Sequence, residues 1–344
     1  MKKRTFKLLT LAFLLTTVMY NCKKKEEPFP DSPDSALITE INAIEVEEIT
    51  VTAPAAVTST ESSITASPKA TATATALASV TAGNIPPAVT TTAAEFSSVL
   101  TPAEIATLKA VDATALASIQ ANGTLPAALK AIVDKIAADP ILKAYLPTSV
   151  LPTVAGVSIS GTRVAANELV EAIAAEEIKD ECLQKAQAAF DAVKLKLDNK
   201  KTSETAKVTA AYTAATAPLA AAETDCKAAV TVKYATLATQ VITIFATTQT
   251  TLESIKTILG PELYDVYTAI LNAQLVGYLN AIYNLKAADL KACTAKTTAA
   301  TNNAAAARTA DMAKVNANYA AALAKAENRR LALLQSCHNQ GGGN

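Results

Sequence analysis

The sequence predicts an all-α protein: a long antiparallel helical hairpin or coiled coil, clipped by disulfides, joined to a small helical unit and a disordered N-terminal tether. Three observations predict it. Cys182 and Cys226 lie 44 residues apart, and so do Cys293 and Cys337. The centre of these four cysteines falls on Leu259-Gly260-Pro261. Gly just past one helix with Pro at the first position of the next is the expected punctuation of a helical reversal. Steps of 4, 4 and 3 residues from Cys182 trace a repeating, mainly apolar stripe through Phe190, Val193, Leu197, Val208, Tyr212, Tyr234, Val241 and Phe245 to Leu259, with Lys201, Glu204, Glu223 and Lys256 also falling on it. Such an 11-residue period is a helical seam of about 3.67 residues per turn.

The hairpin is expected over residues 162–340, with its turn at 259–261. The return arm keeps the stripe less regularly, through Leu271, Leu275, Leu279, Ile282, Cys293, Val315, Tyr319, Leu323 and Cys337, with Arg308 and Arg330 intruding. Folding back at the turn sets Cys182 opposite Cys337 and Cys226 opposite Cys293. The local alternative, Cys182 with Cys226 and Cys293 with Cys337, needs a second turn near Ala313-Lys314-Val315-Asn316, which carries no turn residues. Pro218 lacks a donor N–H and is expected to kink the outgoing arm. A full break there would allow a compact bundle instead.

Composition favours thin, closely packed helices. Half of the chain is hydrophobic, yet it has no Trp, 6 Phe and 9 Tyr. With 31 basic and 31 acidic residues there is no net field to draw in nucleic acid, so no nucleic-acid partner is expected.

Residues 1–21 read as a signal peptide. Lys2, Lys3 and Arg4 precede an apolar run from Leu8 to Tyr20. That run is too short to span a bilayer, which takes ~20 residues. It ends at Cys22, followed by Lys23-Lys24-Lys25-Glu26-Glu27. This arrangement resembles the signals of bacterial lipoproteins, including the lysine-then-acidic surface-export signal of some Gram-negative members. The resemblance implies acylation of Cys22, a membrane anchor through that lipid, and an outer-membrane, surface-exposed address. Export implies an oxidising compartment. No family is recognised for the mature part.

Residues 22–94 read as the tether, with seven prolines punctuating runs such as Thr71-Ala72-Thr73-Ala74-Thr75-Ala76. Within it, Ala36 to Val51 allows a short helix or strand. Asp34-Ser35-Ala36 resembles the acceptor site of some bacterial O-glycosylation systems, which would modify Ser35. A small helical unit follows at 95–150, opened by the capping box Thr101-Pro102-Ala103-Glu104. Residues 151–161 form a linker, and 341–344 a flexible tail.

Catalytic chemistry has little to draw on. The single His, His338, stands near the end, and the cysteines lack metal-ligand spacing. No catalytic residue, metal or cofactor is expected. The tip, residues 241–285, holds Phe245, Tyr264, Tyr267, Tyr278 and Tyr283. A straight arm from Thr162 to Leu259 would run ~145 Å at 1.5 Å per residue, whereas the linker spans at most ~36 Å. The small unit would then sit at the base and leave the tip bare as a contact for a protein partner or a second copy. Three roles follow: a structural or adhesive surface lipoprotein, an accessory lipoprotein of an envelope transport or secretion complex, or a helical-bundle carrier of a small ligand.

Overall fold

A computed structural model describes residues 32–159 and 181–339. Cys22 and the signal segment therefore lie outside the described residues, as do the expected start of the hairpin at 162 and the tail. The elements are α1 (Ser35–Asn42), β1 (Ser59–Thr60), β2 (Ser63–Thr65), α2 (Pro68–Ala78), α3 (Pro87–Val99), α4 (Pro102–Lys109), α5 (Ala113–Asn122) and α6 (Ala127–Ala138). A 3-10 turn (Leu142–Tyr145), β3 (Thr148–Val150), β4 (Thr153–Val154) and β5 (Val157–Ser158) come next. The chain closes with α7 (Glu181–Thr216), α8 (Leu219–Ser254) and α9 (Lys256–Asn339). The fold is all-α, with α7 and α8 as the outgoing limb of an antiparallel hairpin and α9 as the return.

The reversal falls where Gly and Pro require it. Gly260 is non-helical at φ 74°, a conformation that favours glycine, and Pro261 starts the long run of α9. Ala217 and Pro218 separate α7 from α8. Pro218 itself keeps helical angles, and the Ala222 N–H donates to its carbonyl at 3.0 Å, so the limb resumes at once.

The 11-residue seam is physical. Every stripe position from Cys182 to Leu252 is buried or half-buried, across the interruption at Pro218. On α9 the stripe is more regular than its residue types suggest. Leu271, Ile282, Cys293, Ala304, Val315, Ala326 and Cys337 recur every 11 residues, and each is at most 4 % exposed. Ala304 and Ala326 fill places where a larger side chain would keep the limbs apart.

Contacts divide the chain into two units. In the first, formed by described residues 32–52, 181–211 and 307–339, α1 packs Ile41 against Val193, Leu197, Ala322 and Leu333. In the second, α2 to α6 surround the paired segments of α8 and α9 with one core, centred on Phe96, Leu108, Ile119, Ile136, Leu252, Tyr267 and Leu279. Two small antiparallel sheets, ordered β1-β4-β5 and β2-β3, tie residues 59–65 to 148–158. β4 and β5 form a hairpin over the linker expected at 151–161, turning through Ala155 (φ 50°) and Gly156 (φ 76°).

The expected tether is the main correction. Described residues 32–94 carry three helices or helix starts rather than a structureless run. Two of the prolines read as punctuation are helix starts: Pro68 follows the N-cap Ser67, whose hydroxyl accepts from the Ala70 N–H at 3.0 Å, and Pro87 opens α3. The Thr/Ala alternation at 71–76 lies inside α2. There Thr71, Thr73 and Thr75 each donate a hydroxyl to the carbonyl four residues back. Leu77, Val80 and Val89 supply the buried area that offsets ordering. The small unit therefore begins at Pro68 and not at residue 95.

Candidate functional site

Between α1 and β1 the chain is neither helix nor strand. After Ala43 caps α1, residues 44–52 run extended, because β-branched Ile44, Val46, Ile49 and Val51 alternate with Glu and Thr. Among the described residues no strand pairs with this segment. Its main chain is caught instead by side chains of α7 and α9, all within the first unit. The Ile49 N–H donates to Glu204 Oε2 at 3.4 Å. The Thr52 N–H donates to Asp311 Oδ2 at 2.6 Å, and the Thr52 hydroxyl to Asp311 Oδ1 at 2.7 Å. Asn318 Nδ2 donates to the Glu47 carbonyl at 3.1 Å. Val46 is buried in the apolar floor with Val193 and Leu197.

Glu204 is fully buried and Asp311 is 1 % exposed. Burying a carboxylate is costly unless it is paired and hydrogen-bonded, and both acids are. Lys207 at 2.7 Å and Lys200 at 3.2 Å neutralise Glu204, and Lys314 at 2.9 Å neutralises Asp311. The Lys207 bond, against opposing burial, holds the Glu204 carboxyl below its ordinary range, aided by Lys200 and the Ile49 N–H. At Asp311 burial pushes upward, and the Thr52 N–H, Lys314 and the Thr52 hydroxyl together outweigh it, so that carboxyl is also lowered. Chemically the furrow is a set of acceptors and donors matched to an extended peptide main chain.

The second unit holds residues 53–65 by the same device. Asn303 Nδ2 donates to the Ala55 carbonyl at 2.8 Å. Asp289, 6 % exposed, accepts from the Ser62 and Tyr234 hydroxyls at 2.8 Å each, with Lys233 at 3.5 Å. The Ser62 and Tyr234 hydroxyls also lie within bonding distance of each other, so the single Ser62 proton is shared between Asp289 and the Tyr234 oxygen. Burial and the neighbouring Asp289 push the Tyr234 phenol far up. Beside this segment an open groove of about 330 Å³ runs past Pro54, Val57, Leu219 and the Cys226–Cys293 bond.

The sequence-expected sites fare unequally. Cys182 is bonded to Cys337 and Cys226 to Cys293, the pairing that the central turn requires. Ser35 is exposed at the first position of α1, and its neighbour Asp34 serves as N-cap, accepting from the Ala36 N–H at 2.7 Å. The bare aromatic tip is overturned. Tyr267 is fully buried and donates its hydroxyl to the Val89 carbonyl at 2.7 Å. The Tyr278 hydroxyl accepts from the Ser67 N–H at 3.1 Å, and its ring meets Phe245 at 5.8 Å. Half-buried Tyr283 lies so close to Gly123 that a Cβ there would stand 2.1 Å from its ring. Tyr264 bonds Glu253. Residues 68–94 are folded and join 95–150 in covering these rings, so the tip is not bare.

Glu204, Asp311, Asn318, Asn303 and Asp289 were not singled out from sequence as a site. One signal was present: Asp289 and Asp311 are 22 residues apart, two periods of the seam, in the row that also holds Tyr267, Tyr278 and Leu333. Acids in a buried row imply a partner for each. Among the described residues no group of three or more His, Cys, Asp or Glu is placed to hold a metal ion. Comparison of the chain with protein-family models, curated proteins and solved structures returned no match.

Proposed function

We propose that the chain is a lipoprotein acylated at Cys22 and anchored at the outer membrane, facing the cell surface, where its helical part makes structural or adhesive protein contacts. The observation that carries this reading is the pair of disulfides, Cys182–Cys337 and Cys226–Cys293. Bonds of this kind persist in oxidising compartments outside the cytoplasm, which agrees with the exported address of the Cys22 segment. The folded part itself is built for rigidity: a disulfide in each unit, close helix packing through Ala304 and Ala326, and an N-terminal segment pinned to buried acids. An accessory role in an envelope transport or secretion complex uses the same anchor and differs only in the partner. With the tip buried, partner contacts fall to other surfaces of the helical part.

Metabolic labelling with a clickable fatty acid tests the anchor: the protein takes up label, and Cys22→Ala does not. Protease added to intact cells then removes the labelled protein. Label uptake by Cys22→Ala overturns acylation at that residue, and a labelled protein protected in intact cells overturns surface display. Pull-down from solubilised outer membranes separates the two roles, because only the accessory role predicts stoichiometric recovery of a membrane transport or secretion component.

A further inference from the structure

From the furrow of the first unit we infer that the N-terminal arm, residues 34–52, exchanges between two copies of this chain, each copy seating its arm on the other's α7 and α9. The inference rests on furrow geometry and not on the lipid anchor. α7 and α9 in this unit are joined covalently by Cys182–Cys337, whereas the arm is held only by non-covalent contacts. The furrow therefore keeps its shape when the arm leaves. Its buried acceptors also stay compensated, since Glu204 retains Lys200 and Lys207 and Asp311 retains Lys314.

The furrow's demands identify its occupant. Five anchors read main chain: the Asp34, Ile49 and Thr52 N–H groups and the Asn42 and Glu47 carbonyls. The rest read spacing and charge: Ile41 and Val46 fill apolar sockets, the Thr52 hydroxyl meets Asp311, and Glu40, Glu45 and Glu48 pair with Arg329, Lys196 and Lys200. A second copy carries this spacing in full. Exchange of an identical element is a low-cost route to a dimer, because the contacts made in trans are those already made in cis. The arm leaves the furrow at Ala53-Pro54, where the proline favours extended backbone before it. An extended hinge suits an arm reaching outward.

Full-length protein serves for all three tests. By hydrogen exchange, the Ile49 and Thr52 amides open faster than those of residues 190–197 in the clamped helix; equal rates overturn the proposal. Light- and heavy-isotope copies, incubated together, give a mixed dimer in native mass spectrometry that excess synthetic peptide 34–52 dissolves. Absence of the mixed dimer, or its persistence in excess peptide, overturns it. In Ile41→Asp with Val46→Asp the resident arm is weakened, and fluorescent peptide 34–52 binds at one per chain. Adding Glu204→Gln and Asp311→Asn weakens that binding by at least about tenfold, the scale of charged hydrogen bonds to the main chain. No binding to an arm variant that keeps its helix content and both disulfides overturns exchange. If that variant does not fold, the first two tests on the unaltered chain decide.

Discussion

Thr52 gives Asp311 two hydrogen bonds, from its N–H at 2.6 Å and its hydroxyl at 2.7 Å, across 259 residues of sequence. A buried carboxylate thus replaces the neighbouring strand that an extended segment normally needs. Asp311→Ala leaves the Thr52 donors without an acceptor and Lys314 without its carboxylate, though Lys314 keeps its bond to the Thr52 hydroxyl. The expected loss is about 2–3 kcal/mol, the range for hydrogen bonds to charged groups. Asp311→Asn keeps one acceptor oxygen and should cost less. Urea unfolding checks both: the midpoint falls in that order with an unchanged slope.

Acid should act on the same contacts. Glu204 and Asp311 are held below their ordinary values of 4.5 and 3.8. A carboxyl lowered by folding contributes stability that is fully present above its ordinary value and is lost as pH falls through the lower folded value. The thermal midpoint is therefore expected to be flat from pH 7 to about 5 and to decline below that. Glu204→Gln with Asp311→Asn should start lower at pH 7 and show a shallower acid decline. A variant with the same acid slope as the unaltered protein would assign the decline to other carboxyls.

Local signals made the hairpin legible, and long-range ones hid the arm. The cysteine spacing and Gly260-Pro261 act through chain geometry, which sequence displays directly. The seam survived Pro218 because the helix resumes in phase. Ala304 and Ala326 were invisible as seam members, since Ala is common on every face of these helices and only close packing distinguishes them. The arm's anchors join residues 154 to 302 positions apart, through side chains that bond main chain, and no periodicity encodes such pairs. Residues 68–94 looked structureless because Thr and Ala are weak core formers. Their order comes from a few large residues, Leu77, Val89 and neighbouring Phe96, meeting partners elsewhere in the chain.

The two disulfides should be separable in their effects. Cys226–Cys293 closes 67 residues and Cys182–Cys337 closes 155. In the chain-entropy model each contributes about 4–5 kcal/mol. Paired substitution of Cys226 and Cys293 by Ser is expected to destabilise the second unit, and that of Cys182 and Cys337 the first. Hydrogen exchange resolves this, since fast-exchanging amides should appear first around the missing bond. Non-reduced peptide mapping of the unaltered protein should return only the 182–337 and 226–293 links.

The aromatic residues of the tip should behave as core. Tyr267→Ser removes a fully buried ring and its hydroxyl's bond to the Val89 carbonyl. The expected cost is about 3–5 kcal/mol, as for other large-to-small aromatic truncations. Phe245→Ser, at a half-buried ring packed on Tyr278, should cost less. Neither should change the association state of chains that remain folded. Denaturation together with sedimentation separates the outcomes: reduced association at unchanged stability would restore the tip as a contact surface.

Ala155 offers a gain. Among the described non-glycine residues it alone has a positive φ, 50°, at the first position of the two-residue turn between β4 and β5, followed by Gly156 at φ 76°. That sign pattern is the mirror-image turn favoured in tight hairpins, and it suits Asn or Gly at the first position. Ala pays for the left-handed region because its Cβ crowds the carbonyl oxygen, by roughly 1–2 kcal/mol. Asn bears the conformation better through local hydrogen bonding. The Ala155 N–H donates to the Thr58 carbonyl at 2.8 Å, a bond that either substitution preserves. Ala155→Asn is therefore expected to stabilise the second unit by about 0.5–1 kcal/mol. Ala155→Gly should gain less, because glycine also enlarges the freedom of the unfolded chain. Ala155→Val should lose stability, since a β-branched side chain fits this region worst. Thermal unfolding of the three variants should rank them Asn, Gly, Val, and a Val variant as stable as Asn would remove strain at residue 155 as the cause.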